Sequence, residues 1–207
     1  ADAWILLPLA AALIGGGLGF PVWAELVRLV RRNRYVVHRI SITARMTLVA
    51  TTVLLVAGAV FFACMEWTGL MASMSLGEKL LNSFFASASP RTAGFNAIDY
   101  GQAHPITLMG TDVLMFIGGG AGGTAGGVKV TTAAVLVAVL IAEVRGDEEL
   151  LVAGRRIPGR IVRQSMAVFM MAFILIAGSI MGLQMLLPQF NSHQITFETI
   201  SAFATVG

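Results

Sequence analysis

Seven of the ten residues 118–127 are glycine, in the run Gly118-Gly119-Gly120-Ala121-Gly122-Gly123-Thr124-Ala125-Gly126-Gly127, and Lys129 follows just beyond. Glycine at that density does not hold a helix. The apolar stretches on either side, 106–117 and 128–142, reach membrane-crossing length only together. Backbone that loses its helical hydrogen bonds at membrane depth survives only where protein buries it or where it lines a water-filled cavity. The chemistry open to such a segment is that of bare main-chain groups beside a pathway. Two shorter stretches have a related character, Thr92-Ala93-Gly94-Phe95 and Thr205-Val206-Gly207. Extended Thr-x-Gly backbone aims successive carbonyl oxygens, and a Thr hydroxyl, at one axis, where they replace the water around a dehydrated monovalent cation. Glycine supplies the backbone angles that such an alignment requires.

The elements that must position these groups are apolar helices. Of the 207 residues 57% are hydrophobic and 12% charged, with mean hydropathy +0.81; soluble domains carry roughly 25% charged residues. Four stretches read as membrane spans: 3–18, 46–65, 106–117 together with 128–142, and 166–187. The fold class is therefore all-α and integral to the membrane. The chain starts abruptly in apolar sequence and reads as part of something longer. Arg28, Arg31, Arg32, Arg34, Arg39 and Arg45 follow the first span, and Arg145, Arg155, Arg156, Arg160 and Arg163 follow the third, whereas the connection between spans two and three carries only Lys79 and Arg91. The positive-inside rule makes the two Arg-rich loops, 28–45 and 145–163, cytoplasmic.

The outer connection after span two is too apolar for a solvated loop. Residues 76–89 have helical spacing, with Leu80, Phe84, Ser87 and Ala88 on one side, and Pro90 discourages continuation. About 13 residues are too few to span, which fits a half-helix that re-enters the membrane. The pattern recurs after span four: 196–207 aligns with 83–94 at an offset of 113, with Phe84/Phe197, Thr92/Thr205 and Gly94/Gly207 identical. Span, half-helix, Thr-x-Gly strand and span form a unit repeated in one chain, a symmetry that membrane transport proteins show.

At Ser-Pro-Arg-Thr-Ala-Gly-Phe-Asn (89–96), at Ile-Gly-Gly-Gly-Ala-Gly-Gly-Thr-Ala-Gly-Gly-Val-Lys-Val-Thr-Thr (117–132) and at Ser-Ala-Phe-Ala-Thr-Val-Gly (201–207), the chain resembles the Trk/Ktr/HKT superfamily of potassium transporters, most of all its Ktr-type membrane subunits. Gly16-Gly17-Leu18-Gly19-Phe20-Pro21-Val22 resembles the inner span closing that family's second repeat. The resemblance implies four span–pore-loop–span repeats around one axis. Residues 1–34 would be the last span of repeat two, 35–145 repeat three, and 146–207 repeat four up to its filter. Thr92, Ala93, Gly94 and Phe95 with Thr205, Val206 and Gly207 would be two of four selectivity-filter strands, and Arg91 and Asn96 would support the first. Gly118 to Gly127 with Lys129 would be an intramembrane gating loop. Glycine at 94 and 207, by the same analogy, favours K⁺ over Na⁺. The family often has Ser where this chain has Gly120 and Gly123, which leaves Thr124 and backbone groups to hold the loop closed. The implied cargo is K⁺, with Na⁺ a candidate coupling or activating ion and no cofactor in this chain. The implied partners are membrane lipid, a second copy of the full subunit, and a cytoplasmic ring of RCK-type nucleotide-binding subunits (KtrA-like). The implied location is the bacterial inner membrane.

Single residues leave alternatives open. Lys129 either snorkels to the cytoplasmic side or sits in the pathway as part of the gate. Arg91 is expected to point away from the cation axis and to brace its strand by bonding backbone carbonyls. Glu198 attracts ions at the outer mouth or bonds neighbouring backbone. Asp99 caps a turn or adds negative potential, and Asn96 lines the mouth or caps. His38, His104 and His193 lack ligand spacing. Gly118-x-Gly120-x-x-Gly123 matches a dinucleotide fingerprint but has no strand–helix–strand context. The basic loops have only Tyr35 for aromatic stacking, which argues against nucleic acid. No catalytic constellation is present, and Cys64 stands alone, so the chain reads as a non-enzyme.

Overall fold

The computed structural model describes residues 2–31, 40–91, 93–96, 98–146, 150–152 and 154–207. Two helices are long and apolar enough to cross a membrane, α3 (Ile42–Glu66) and α7 (Gly159–Leu186). At 1.5 Å per residue the 25 residues of α3 reach about 37 Å. Its two faces differ. Val49, Val53, Val56 and Val60 form an exposed stripe, while Thr47, Thr51, Leu55, Gly58 and Phe62 are buried. Exposed valine and methionine rows of this kind, continued along α7 by Met170, Met171, Ile174 and Met181, suit hydrocarbon and not water.

The first apolar stretch is helical over the expected residues and then bends sharply. α1 (Ala3–Leu18) stops at Gly19, which has φ +85°, and α2 (Phe20–Arg31) leaves at a bend of 100°. Three glycines in the last turn of α1 weaken it, and Gly19 supplies a backbone angle that a side chain resists.

The half-helix after α3 is where the spacing placed it. α4 (Leu76–Ala88) begins at a capping box, in which Ser75 Oγ accepts from the Glu78 N–H and the Glu78 carboxylate accepts from the Ser75 N–H at 2.9 Å. A 3-10 turn over Ser89–Arg91 ends it at Pro90. The side that the spacing groups together is split: Leu80 is exposed and Phe84 half-buried, whereas Ser87 and Ala88 are buried together with Asn82, Ser83, Phe85 and Ala86. Asn82 and Ser83 tolerate burial because each donates to a carbonyl four residues back, at 2.8 Å. Gly58 lets α4 cross close to α3, where Ser87 Oγ donates to the Leu55 carbonyl at 2.9 Å.

The third span is broken as the glycines require, into α5 (Pro105–Phe116) and α6 (Val130–Arg145). Between α6 and α7 the helical pattern is interrupted by a short antiparallel ladder, β1 (Leu151–Val152) with β2 (Arg155–Arg156). α8 (Ser192–Ala204) is the second half-helix, and its Asn191 N–H donates to Gln194 Oε1 at 3.3 Å, the counterpart of the Ser75–Glu78 cap. Phe62, Met71, Ala86, Ile98 and Leu114 join α3, α4 and α5 in one apolar core. Met115, Ala204 and Val206 join α5 to α8 in another.

Candidate functional site

Each half-helix ends by turning its chain back through a glycine-bearing strand, and the two strands meet. Gly94 has φ +61°, and a Cβ there would lie against the Val206 carbonyl oxygen. Gly94 and Val206 therefore approach backbone to backbone, more closely than a side chain at 94 would allow. The same hydrogen bonds shape both turns. The Gly94 N–H donates to the Ser89 carbonyl at 3.3 Å, and the Val206 N–H to the Ser201 carbonyl at 2.9 Å. Ser89 Oγ donates to the Phe95 carbonyl at 2.6 Å, and Ser201 Oγ to the Gly207 carbonyl at 3.1 Å. By these bonds Ser89 corresponds to Ser201 and Gly94 to Val206, an offset of 112, one residue from the side-chain alignment. Thr92 lies outside the described residues.

The second strand begins with an unusual residue. Thr205 has φ +57°, the only positive φ outside glycine among the described residues. A β-branched residue in that region is an outlier, worth about 1–3 kcal/mol of local strain. Its hydroxyl oxygen accepts from the Gly126 N–H at 3.1 Å.

A cavity of about 370 Å³ opens between the two turns, lined by Ser89, Gly94, Asn96, Phe197, Ser201 and Gly207 among others. Asp99, His193 and Glu198 also reach it. Asp99 does cap a turn, accepting from the Gly101 N–H at 2.9 Å and Gln102 Nε2 at 2.8 Å. Glu198 is exposed on the cavity wall, and among the described residues no backbone group donates to it. Asn96 is exposed there too, and Phe95 is half exposed.

The glycine segment lies against these strands and is itself ordered by backbone. Ile117 and Val128 form a parallel bridge, with the Gly118 N–H donating to the Val128 carbonyl and the Val128 N–H to the Phe116 carbonyl, both at 2.9 Å. The Val130 N–H donates to the Gly119 carbonyl at 2.9 Å. So the two half-spans are stapled at their broken ends. A Cβ at Gly118 would strike the Gly126 carbonyl, and one at Gly126 would strike Ala204. Thr124 is exposed, and the loop's own groups in these bonds are main-chain ones.

The elbow between α1 and α2 cradles the other side of the loop. The Gly120 N–H donates to the Gly17 carbonyl at 2.7 Å, and the Phe20 N–H to the Gly122 carbonyl at 3.3 Å. A Cβ at Gly120 would meet the Leu18 carbonyl, and one at Gly123 would come within 3.0 Å of the Gly16 carbonyl oxygen. Side-chain-free backbone is thus needed on both partners. The sequence signal existed in the second glycine cluster, Gly15 to Gly19, but nothing in its spacing says that it mates with the first.

Arg91 is buried and points from the first strand into the bundle. One terminal nitrogen, Nη2, donates to the Gly118 carbonyl at 3.4 Å and to Thr51 Oγ1 at 3.5 Å, while Nε has no partner among the described residues. It bonds backbone away from the cavity, on the glycine loop and not on its own strand. Lys129 Nζ turns back to donate to the Ala125 carbonyl at 2.6 Å, and its backbone opens α6. Glu66 was not legible as a site residue. Buried at the end of α3, it accepts from the His104 N–H at 3.0 Å and from Thr107 Oγ1 at 2.5 Å, fastening α3 to the start of α5. Among the described residues no cluster of His, Cys, Asp and Glu could hold a metal ion. His38 lies outside those residues, as do Arg32, Arg34 and Arg39.

Two apolar helices of membrane-crossing length, two half-helices that end in glycine-bearing turns and a span broken by glycine make an all-α membrane protein of the transporter class. The family model described as a cation transport protein, TrkH, matches residues 1–207, and the chain belongs to that family. It is 35% identical to the potassium/sodium uptake protein NtpJ of Enterococcus hirae, and 33% and 36% identical to the Ktr system potassium uptake protein B of Bacillus subtilis and of Vibrio alginolyticus. All of this chain aligns in each case, with 46%, 45% and 45% of the respective relatives. The chain thus spans about half the length of the curated relatives it matches.

Proposed function

We propose that this chain is the ion-conducting part of a K⁺ uptake transporter, carrying two of its filter strands and the gate beneath them. The observation that carries this is the backbone contact of Gly94 with Val206 on the wall of a cavity. Oxygens fixed by Ser89 and Ser201 are held at set positions, and fixed oxygens at the right spacing replace an ion's hydration shell without reorganising. Ala93, Gly94, Phe95, Val206 and Gly207 supply the backbone, with Thr205 at the inner end and Thr92 by analogy in the first strand. Residues at the C-terminal ends of α4 and α8, Ser89 and Ser201, line the same cavity, and the partial negative charge of a helix C-terminus favours a cation nearby.

The loop from Gly118 to Gly127 is the gate. Its closed position is held by Gly17, Phe20, Arg91 and Lys129, all within hydrogen-bond reach of its backbone. The Arg-rich connections face the cytoplasm of a bacterial inner membrane, where a nucleotide-binding ring and a second subunit complete the assembly. Two relatives are named for potassium uptake and one for potassium/sodium uptake. K⁺ is accordingly the cargo, and Na⁺ the coupling or activating ion.

The test is Rb⁺ uptake into liposomes holding the full-length subunit, with K⁺ and Na⁺ as competitors. Influx blocked by K⁺ well below the Na⁺ concentration needed for the same block is expected. No influx above protein-free vesicles, or slow influx saturating like a carrier's, overturns the proposal.

A further inference from the structure

Three contacts tie the glycine loop to the two cavity-facing strands, and they lie at its two ends. At the start, the buried Arg91, which leads into the first strand, donates to the Gly118 carbonyl at 3.4 Å. At the far end, the Gly126 N–H donates to Thr205 Oγ1 at 3.1 Å, and the Gly126 Cα packs so closely on Ala204 and Thr205 that a Cβ would collide with both. The choice of residue at 205 is informative. Helices that end in the left-handed region usually do so with glycine, which carries no strain there. Here the position is threonine at φ +57°, and what threonine adds is an oxygen that the loop uses. Strain held at one residue by its surroundings marks a site where geometry serves function.

The two strands contribute differently. By the hydrogen-bond register, the counterpart of Thr205 is Ala93, which has no hydroxyl, and the first strand reaches the loop through the longer arm of Arg91 instead. Arg91 Nη2 also reaches Thr51 on α3, so the arm is referenced to a long rigid helix.

We propose that Thr205 and Arg91 couple the loop to the filter, so that displacing the loop alters which cation the strands prefer. This rests on the K⁺-pathway function proposed above and extends it: the gate and the selectivity element move as one unit. Withdrawing Gly126 removes the partner of the Thr205 hydroxyl and frees a strained residue to relax. Withdrawing Gly118 releases Arg91, whose neighbour is the first strand. Both are positioning residues in this respect, acting on the cation through the backbone they hold.

The experiment uses the full-length subunit in liposomes, comparing wild type with Thr205→Val, Thr205→Ser, Arg91→Lys, and the double variant Thr205→Val/Arg91→Lys. Rb⁺ influx without any regulatory subunit reads the gate, and the K⁺ over Na⁺ preference in competition reads the strands. Val keeps the β-branch but offers no acceptor. Thr205→Val and Arg91→Lys should each raise unregulated influx at least threefold and lower K⁺ preference at least threefold, together. Ser should recover most of what Val loses. The double variant should go little beyond the larger single effect, because residues acting through one element are not additive. If influx rises with preference unchanged, if preference falls with influx unchanged, or if neither moves, the coupling is wrong. Multiplying effects in the double variant would also overturn it. Wild type that conducts nothing would instead sink the proposed function. Thermal unfolding and elution of each variant separate these outcomes from misfolding, and Thr205→Gly, which relieves the strain without supplying an oxygen, should match Val in function while unfolding no earlier than wild type.

Discussion

Replacing Gly94 by alanine isolates what the backbone contact between the two strands is worth. A methyl group there would stand 3.0 Å from the Val206 carbonyl carbon and 3.1 Å from Val206 Cγ1, with the oxygen nearer still. Carbon atoms settle at about 3.5–4.0 Å, so the strands must part by roughly 0.5–1 Å. The φ of +61° costs a residue with a Cβ about 1–2 kcal/mol more. A displacement of that size moves oxygens that, in the proposed pathway, have to match a bare ion, and an energy of about 1–2 kcal/mol corresponds to a factor of about 5–30. K⁺-competed Rb⁺ influx into liposomes of the full-length subunit should therefore fall by about 5–30-fold, with K⁺ preference reduced. Gly77→Ala is the control: it lies in the first turn of α4 with nothing within 4 Å, and alanine is favoured over glycine in a helix by about 0.8–1 kcal/mol. It should conduct normally and unfold no earlier. Wild-type influx and preference in Gly94→Ala would refute the idea that these main-chain atoms face the ion.

Other substitutions probe the supports. Glu66→Ala leaves the buried Thr107 hydroxyl unpaired, at about 1–3 kcal/mol, and frees the N–H of the exposed His104, so the detergent-solubilised protein should unfold a few degrees earlier, with Glu66→Gln in between; an unchanged midpoint would show that α3 and α5 need no such fastening. Lys129→Ala removes the 2.6 Å bond to Ala125 and should raise unregulated Rb⁺ influx, whereas unchanged influx would reduce Lys129 to a helix-end anchor. Gly19→Ala drives a methyl group against Ala121 and to 2.9 Å from the Gly123 nitrogen, prising the α1–α2 elbow off the loop. Its expected result is a leaky transporter at normal expression, and a tightly closed one would show that the elbow is not what holds the loop.

Much of this molecule was legible in its residues because lipid leaves few choices. Runs of apolar side chains must become helices there, since no water satisfies a stray amide. So the spans at α3 and α7, the half-helix at α4 and the break at residues 118–127 could all be placed from composition, length and glycine density. The motif 89–96 likewise pointed to a strand turned back from a half-helix. The helical period put Leu80 and Phe84 on one side of α4 with Ser87 and Ala88, and the structure exposes Leu80 while it buries Ser87 and Ala88 along with the polar Asn82 and Ser83. Those two polar side chains bury readily because their own helix supplies carbonyl partners, a possibility that hydrophobic periodicity does not count.

What only the tertiary structure decided is who touches whom. That Gly94 meets Val206, that the glycines of the first helix receive those of the third span, that Arg91 reaches Gly118 and that Thr205 takes up the Gly126 amide are contacts between residues 27 to 112 positions apart. Main-chain groups look alike in any sequence, and glycine announces only that backbone will come close, never to which partner. Helix identity is settled within a few residues by local hydrogen bonds and the surrounding solvent, whereas these approaches depend on how whole helices cross, and the crossing is set by packing.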